Sequence, residues 1–381
     1  MSQICDSVYT DKVPLPVATK IKFMNHVNDE HQDELAMFVE AFDDTKVGDD
    51  LLVQIAEVYH DGLLLQTCKH PLEKLSIDNP AHYQARSEAA ALDRYFIAFD
   101  DFVDETVTIK SQYIHLLQVA AKKLGKLAIK QQERDFTVID GYYASPNMFR
   151  LVIGAPSDTP LNHAGYAYLF ELTADTQKRD QTISASAKLQ RYYTLRKAWQ
   201  DANSQTVYGW VDTYIHGDTP GGNWARALQA DSKIKSVRDY PEKVAHLETG
   251  QCLLICDETS MPTVANLLEV WQNPIAPIVI AVTNDAADID YLNNLELSAS
   301  LTKTTNFKQT NIRHIVNSSA IDLAQVISST IDILFSELSL SIDKVWGALE
   351  ASDAKTLRRQ LKAQFGLPRQ DMVMKVYWRS S

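Results

Sequence analysis

Arg191-Tyr192-Tyr193-Thr194-Leu195-Arg196 sets a guanidinium, an aromatic plate and a hydroxyl within four residues of a strand-like run. A guanidinium can grip a pyrophosphate in fork geometry, a Tyr ring can pack against a flat heterocycle and its ribityl tail, and a Thr hydroxyl can reach a redox-active ring edge. Together these are the groups that a flavin needs. Taken alone, the same hexapeptide also reads as an ordinary amphipathic strand, Tyr-rich because aromatics suit a pleated surface.

The elements that must position these groups follow downstream. Val211 to Asp218 and then Pro220-Gly221-Gly222-Asn223-Trp224-Ala225 read as strand, glycine turn and helix start. A glycine turn lets backbone approach a ligand closely, and the free amides at a helix start carry partial positive charge suited to a phosphate. Cys252-Leu253-Leu254-Ile255-Cys256 then forms an apolar strand of the buried type, followed by Asp257-Glu258-Thr259-Ser260-Met261-Pro262 and a helical pattern over residues 263–271. This is a second strand-loop-helix unit.

In this order the motifs resemble the siderophore-interacting proteins, a branch of the ferredoxin-reductase-like flavoenzymes that reduce ferric siderophores. The family's flavin strand reads Arg-x-Tyr-Thr-Val/Leu-Arg, a later strand ends in His-Gly, a Gly-Pro-Ala turn precedes Trp-Ala, and an apolar strand ends Gly-Asp-Glu-Thr. Here these become Arg191 to Arg196, His216-Gly217, Gly221-Gly222 with Trp224-Ala225, and Asp257-Glu258-Thr259. Trp346-Gly347-Ala348-Leu349-Glu350, the helix through Leu357 to Leu361 and the terminal Tyr377-Trp378-Arg379 resemble the family's last strand, last helix and closing Tyr-Trp-Arg. The resemblance spans residues 135–381. It implies FAD held by Arg191, Tyr193 and Thr194, phosphates facing Gly221, Gly222 and Asn223, and His216 and Trp224 beside the cofactor. It also implies NADH or NADPH docking at Asp257, Glu258, Thr259 and Glu350, and no catalytic acid or nucleophile, because outer-sphere electron transfer needs none.

Departures from the pattern carry expectations of their own. The family's Gly-Pro-Ala turn is Gly221-Gly222-Asn223, about one residue shorter, which predicts an altered phosphate grip. Cys256 replaces the glycine before Asp-Glu-Thr, and Leu349 replaces the glycine of Trp-x-x-Gly-Glu. Side chains at those strand ends are expected to occupy space where a dinucleotide lies against backbone, so the nicotinamide site is predicted to be modified.

Composition bounds the rest. With 381 residues, 45% hydrophobic and 23% charged, the chain suits a soluble protein of two or three domains. No apolar run is long enough for a membrane span, and residues 1–16 do not read as a secretory signal. Four scattered cysteines, Cys5, Cys68, Cys252 and Cys256, offer no Cys-x-x-Cys spacing for metal or redox work. A cytoplasmic location is expected. The net charge of −12 is concentrated in residues 1–125, with 21 acidic against 11 basic residues, which argues against a nucleic-acid partner. Residues 343–381 carry 8 basic against 4 acidic residues; of these, Lys375 and Arg379 on the closing strand are the candidates for holding an anionic ligand such as a ferric siderophore.

The front section reads as an α+β domain. Ile21, Met24, Val27, His31, Leu35, Phe38 and Phe42 recur at helical spacing, predicting one amphipathic helix over residues 19–42. A hairpin with the turn Tyr59-His60-Asp61-Gly62, a strand over residues 95–99 and a helix over residues 105–124, stopped by Gly125, follow. Met24-Asn25-His26-Val27-Asn28-Asp29-Glu30-His31 resembles the His-Met-Asn-x-Asp-His signature of a small domain found in haem-utilisation proteins, which implies haem as a further ligand. On a continuous helix His26 and His31 stand about 140° apart and cannot clamp one metal. His31 then reads as a core histidine, and His26 with Glu30 as a solvated pair.

The expected architecture is an α+β N-terminal domain (1–125), a linker (126–135), an antiparallel β-barrel for FAD (136–240) and an α/β parallel-sheet domain of nucleotide-binding type (241–381). The expected function is flavin-dependent reduction of ferric siderophores with release of Fe(II). The alternative is a non-catalytic haem- or siderophore-binding protein on a degenerate reductase fold.

Overall fold

A computed structural model of the chain describes residues 12–48, 50–104, 107–125, 133–161, 163–172, 189–317, 322–338 and 341–380. Cys5, Glu105 and residues 126–132 of the expected linker lie outside the described residues. The chain divides into two compact units, Met1–Ile129 and Lys130–Ser381.

In the first unit the predicted single helix is two, α1 (Val17–Glu30) and α2 (Gln32–Asp43), with His31 between them at φ −118° and ψ 33°. Polar side chains explain the break. The Asn28 carbonyl accepts from the Gln32 side chain at 2.6 Å, while Asn28 and Gln32 also bind the backbone of β1 (Leu52–Tyr59), at Ile55 and Val53. The kink overturns the expected separation of His26 and His31, whose Nε2 atoms stand 3.2 Å apart. Nor is His31 a core residue, since its side chain is about a third exposed. β1 pairs antiparallel with β2 (Gly62–Cys68) across the predicted two-residue turn, and β2 with β3 (Arg94–Ala98). A further helix, α3 (Pro80–Ala90), had no strong sequence signal because it buries little beyond Tyr83 and Ser87. α4 (Ile109–Lys123) closes the unit, and Gly125 stops it at φ +63°. Leu35, Phe38, Leu63, Leu65 and Leu116 form its core.

The second unit begins with a closed antiparallel barrel. Its strands are β4 (Arg134–Ser145), β5 (Met148–Ala155), β6 (Tyr166–Glu171), β7 (Gln190–Gln200), β8 (Val207–Tyr214) and, after helix α5 (Pro220–Ala227), β9 (Lys233–Pro241). They close in the order β4-β5-β8-β7-β6-β9 around Phe136, Leu151, Tyr168 and Phe170.

A parallel five-stranded sheet follows: β10 (Cys252–Cys256), α6 (Met261–Glu269), β11 (Ile278–Thr283), short helices α7 (Asp290–Asn293) and α8 (Phe307–Thr310), β12 (Ile312–Val316), α9 (Leu323–Leu338), β13 (Lys344–Glu350), α10 (Ala351–Phe365) and β14 (Met372–Trp378). The order is β12-β11-β10-β13-β14. Strand alternation divides the side chains between two layers. Cys252, Leu254 and Cys256 face the core under α6, whereas Leu253, Ile255 and Leu349 face the core under α9 and α10. At Gly347 the Met374 thioether packs close against the strand, 2.7 Å from where a Cβ would stand.

Candidate flavin and nicotinamide sites

The edge of the barrel formed by β7 and α5 gathers most of the predicted flavin residues. Tyr193 lies flat on Trp224, with ring centroids 5.5 Å apart and planes 5° from parallel. A Cβ on Gly221 would stand 2.2 Å from the Tyr193 hydroxyl, so only glycine lets the start of α5 sit against that phenol. Burial pushes the Tyr193 phenol up to about 12, with the neighbouring Arg191 guanidinium opposing the rise. Arg191 is exposed, and its guanidinium donates to the carbonyl of Gln190 at 2.8 Å.

At the start of α5, Thr219 caps the helix by accepting from the Gly222 amide at 3.3 Å. Asn223 is turned sideways: its amide donates to Asp218 at 2.5 Å and accepts from Arg226 at 2.7 Å. His216 is exposed and stacks on Tyr214 at 5.1 Å. Tyr214 in turn shares hydrogen bonds with Glu258 and Asn284, joining the end of β8 to the loop after β10.

Thr194 points the other way, into the seam between barrel and sheet. Thr194 is 5% exposed, and its hydroxyl lies 3.3 Å from that of Thr263, which lies 3.3 Å from the Tyr377 hydroxyl. Tyr377 donates to Glu242 at 3.1 Å. Burial raises the Glu242 carboxyl above its ordinary range, and the Lys375 ammonium opposes this. Glu242 Oε2 and His163 Nε2 are buried and have no hydrogen-bond partner among the described residues. This polar chain was missed in the sequence, where Glu242, Thr263 and His163 stand in no motif; Thr194, within Arg-x-Tyr-Thr, and Tyr377, within Tyr-Trp-Arg, carried signals, but not for this contact.

The same seam is clamped by charge. Arg196, the last residue of the hexapeptide, is 1% exposed and forms a two-pronged ion pair with Glu269 of α6 at 2.7 and 3.0 Å. Arg150 pairs likewise with Asp212, which also accepts from Tyr291. The sequence reading assigned no role to Arg150, Arg196 or Glu269.

At the strand ends of the sheet the predicted nicotinamide residues are committed to the protein. Asp257 accepts from the Thr259 amide at 2.9 Å, the Thr259 hydroxyl at 2.6 Å and the Trp378 indole at 2.7 Å. Burial nevertheless raises its carboxyl, against those hydrogen bonds. Glu258 accepts from the Asn284 backbone at 2.5 Å and its side chain at 3.0 Å. Glu350 caps α10, accepting from the Ser352 amide and hydroxyl, each at 2.5 Å, and from Ser380. Burial would raise that carboxyl, but these bonds prevail and hold it down to about 2. Cys256 and Leu349 stand in the two cores, 0% and 1% exposed, so they fill packing space and not ligand space as expected from sequence. Of the two candidate substrate cations, Lys375 donates to the Tyr240 hydroxyl at 2.6 Å and lies 5.2 Å from its ring centroid, and Arg379 is exposed beyond β14. Among the described residues no helix is long and apolar enough to cross a membrane.

Comparisons with known proteins follow this geometry. Residues 249–381 match the family model for siderophore-interacting proteins. A comparison with curated proteins finds no match. Among solved structures, the chain is similar to the siderophore-interacting protein from A. baumannii, with TM-score 0.51 and 15% identity over 67% of this chain and 92% of that one. It is also similar to a siderophore utilisation protein from T. fusca, with TM-score 0.46 and 21% identity over 67% and 96% of the two chains. A ferredoxin NADP+ reductase from Neisseria gonorrhoeae with bound FAD and NADP gives TM-score 0.45 and 10% identity over 65% and 100%. The C-terminal segment, residues 249–381, is thus similar in sequence to the siderophore-interacting proteins, and residues beyond it share the fold of the A. baumannii structure.

Proposed function

We propose that this protein is an FAD-dependent reductase of ferric siderophores, acting in iron acquisition in the cytoplasm. The observation that carries the reading is the Tyr193–Trp224 stack held against Gly221 at the start of α5, with the exposed Arg191 guanidinium beside it. The residues present suit a flavin: a cation for pyrophosphate, the Gly221 amide at a helix start, and an aromatic plate. Arg191 and the helix start at Gly221 would hold the phosphates, Tyr193, backed by Trp224, would pack against the cofactor, and His216 would border its ring; Thr194, Gly222 and Asn223, expected beside the cofactor, are bonded within the protein instead. When bound, FAD would supply the electrons for the ferric acceptor. The chain's own part is to bind and orient, and its buried seam excludes water. The substrate iron, once reduced to Fe(II), is held less tightly by hard oxygen ligands and leaves. Lys375 and Arg379 would attract an anionic chelate.

NADH or NADPH is the donor that the family resemblance implies. Asp257, Glu258 and Glu350 serve as internal hydrogen-bond acceptors, so a nicotinamide would be met by the surface that they organise, including Thr259 and Trp378.

One observation favours the second reading, a non-catalytic haem- or siderophore-binding protein: the Thr194 hydroxyl is enclosed against Thr263 and not open at a ring edge. The two readings separate in an anaerobic assay of the FAD-loaded protein with NADH or NADPH, a ferric hydroxamate siderophore and a coloured Fe(II) chelator. A reductase bleaches its flavin and develops the Fe(II) colour. Binding of the siderophore with neither change establishes the second reading.

A further inference from the structure

The kink between α1 and α2 makes neighbours of two imidazoles that a straight helix would separate. His26 Nε2 and His31 Nε2 are 3.2 Å apart, with ring planes at 72°. The Glu30 carboxylate lies 3.4 Å from His26 Nδ1. One ligand atom from each of the three residues lies within 4.8 Å of the others. Two nitrogens bound at about 2.0–2.1 Å to one tetrahedral ion stand about 3.3 Å apart, whereas two on opposite sides of an ion stand about 4 Å apart. The observed spacing therefore matches adjacent ligands of one small ion and not two axial ligands of a haem.

We propose that His26, Glu30 and His31 form a site for a single divalent first-row transition-metal ion. Two imidazoles and a carboxylate suit Zn2+ or Fe2+. The surroundings are built accordingly. His31 Nδ1 lies 3.0 Å from Glu34 Oε2, and the same oxygen accepts from the Tyr113 hydroxyl at 2.8 Å. Tyr113 is buried on α4 and packs edge-on against Phe38, 5.2 Å between centroids. A carboxylate on Nδ1 fixes the tautomer that leaves Nε2 with its lone pair facing His26, which is the usual outer support of a metal-binding histidine. Met24 and Val27 anchor α1 in the core of its unit. The His26 side chain is 50% exposed and that of Glu30 only 11%, which leaves an approach from solvent and a position for water on the ion.

The competing description of the same geometry is a hydrogen bond in which one Nε2–H donates to the other imidazole. Titration of the chelator-treated full-length protein with Zn2+ by calorimetry separates the two. The expected result is one equivalent bound, lost in His26→Ala, whose half-exposed side chain can be removed without disturbing the core. Glu34→Gln is expected to weaken binding about tenfold by loosening the orientation of His31. Circular dichroism of each variant establishes that it is folded. Absence of stoichiometric binding, or binding unchanged in folded His26→Ala, would overturn the site. Neither outcome depends on whether the protein binds a flavin.

Discussion

Two regions carried family motifs in sequence, yet the structure uses them differently. On the barrel edge, Arg191 is exposed, and half-buried Tyr193 packs against Gly221 and against Trp224, which is buried in the barrel core. At the sheet's strand ends, Asp257, Glu258 and Glu350 are taken up by loop turns, a helix cap and the closing strand. A motif thus marks a place in the fold, and the hydrogen-bond partners decide whether its side chains face a ligand or the protein.

The contrast can be broken most severely at the buried positions. Leu349→Gly, which restores the family glycine, is expected to cost about 2–5 kcal/mol in denaturant unfolding because it leaves a cavity under α9 and α10. No tighter NADPH binding should accompany it; a gain in affinity would show that Leu349 does occupy ligand space. Arg196→Ala leaves Glu269 with only Lys197, 3.8 Å away, and is expected to cost about 3 kcal/mol, less when combined with Glu269→Ala. Asp257→Ala should lose about 2 kcal/mol of stability while FAD content stays the same. Loss of FAD from that variant at full stability would erase the distinction between the two regions.

The smallest effects are in pH dependence, and their signs are opposite. Glu350 is depressed to about 2 in the folded protein from an ordinary 4.5, so its contribution is present above 4.5 and is lost as pH falls towards 2. Glu242 is raised by burial, so the folded state keeps its proton longer than the unfolded one. Its contribution is present below 4.5 and declines as pH rises through the folded value. Stability measured against pH should therefore flatten on the acid side in Glu350→Gln, and above pH 4.5 in Glu242→Gln. Identical profiles for both variants would contradict these assignments.

The hairpin turn and the buried strand Cys252–Cys256 were legible because period-two alternation and turn residues are local signals, whereas Gly221-Gly222-Asn223, expected as a turn before a helix, form the first turn of α5 itself behind the Thr219 cap. The helix break at His31 was not, because the apolar stripe runs on through it. It is set by Asn28 and Gln32 reaching the edge of β1, more than twenty residues away. The candidate site residues followed the same division. Arg191, Tyr193 and Gly221 announce themselves within short motifs. The Thr194–Thr263–Tyr377–Glu242 chain joins residues from β7, α6, β14 and the end of β9, which only the folded seam brings together.

The central claim is that the β7 and α5 edge binds a flavin, and FAD titration of the flavin-stripped full-length protein tests it most directly. Unmodified protein should bind one FAD, with its visible absorption shifted from that of the free cofactor. Arg191→Ala should weaken binding about 10–100-fold, the loss of a charge-assisted contact, with stability unchanged. No FAD binding by the unmodified protein, or equal affinity in Arg191→Ala, would contradict the account.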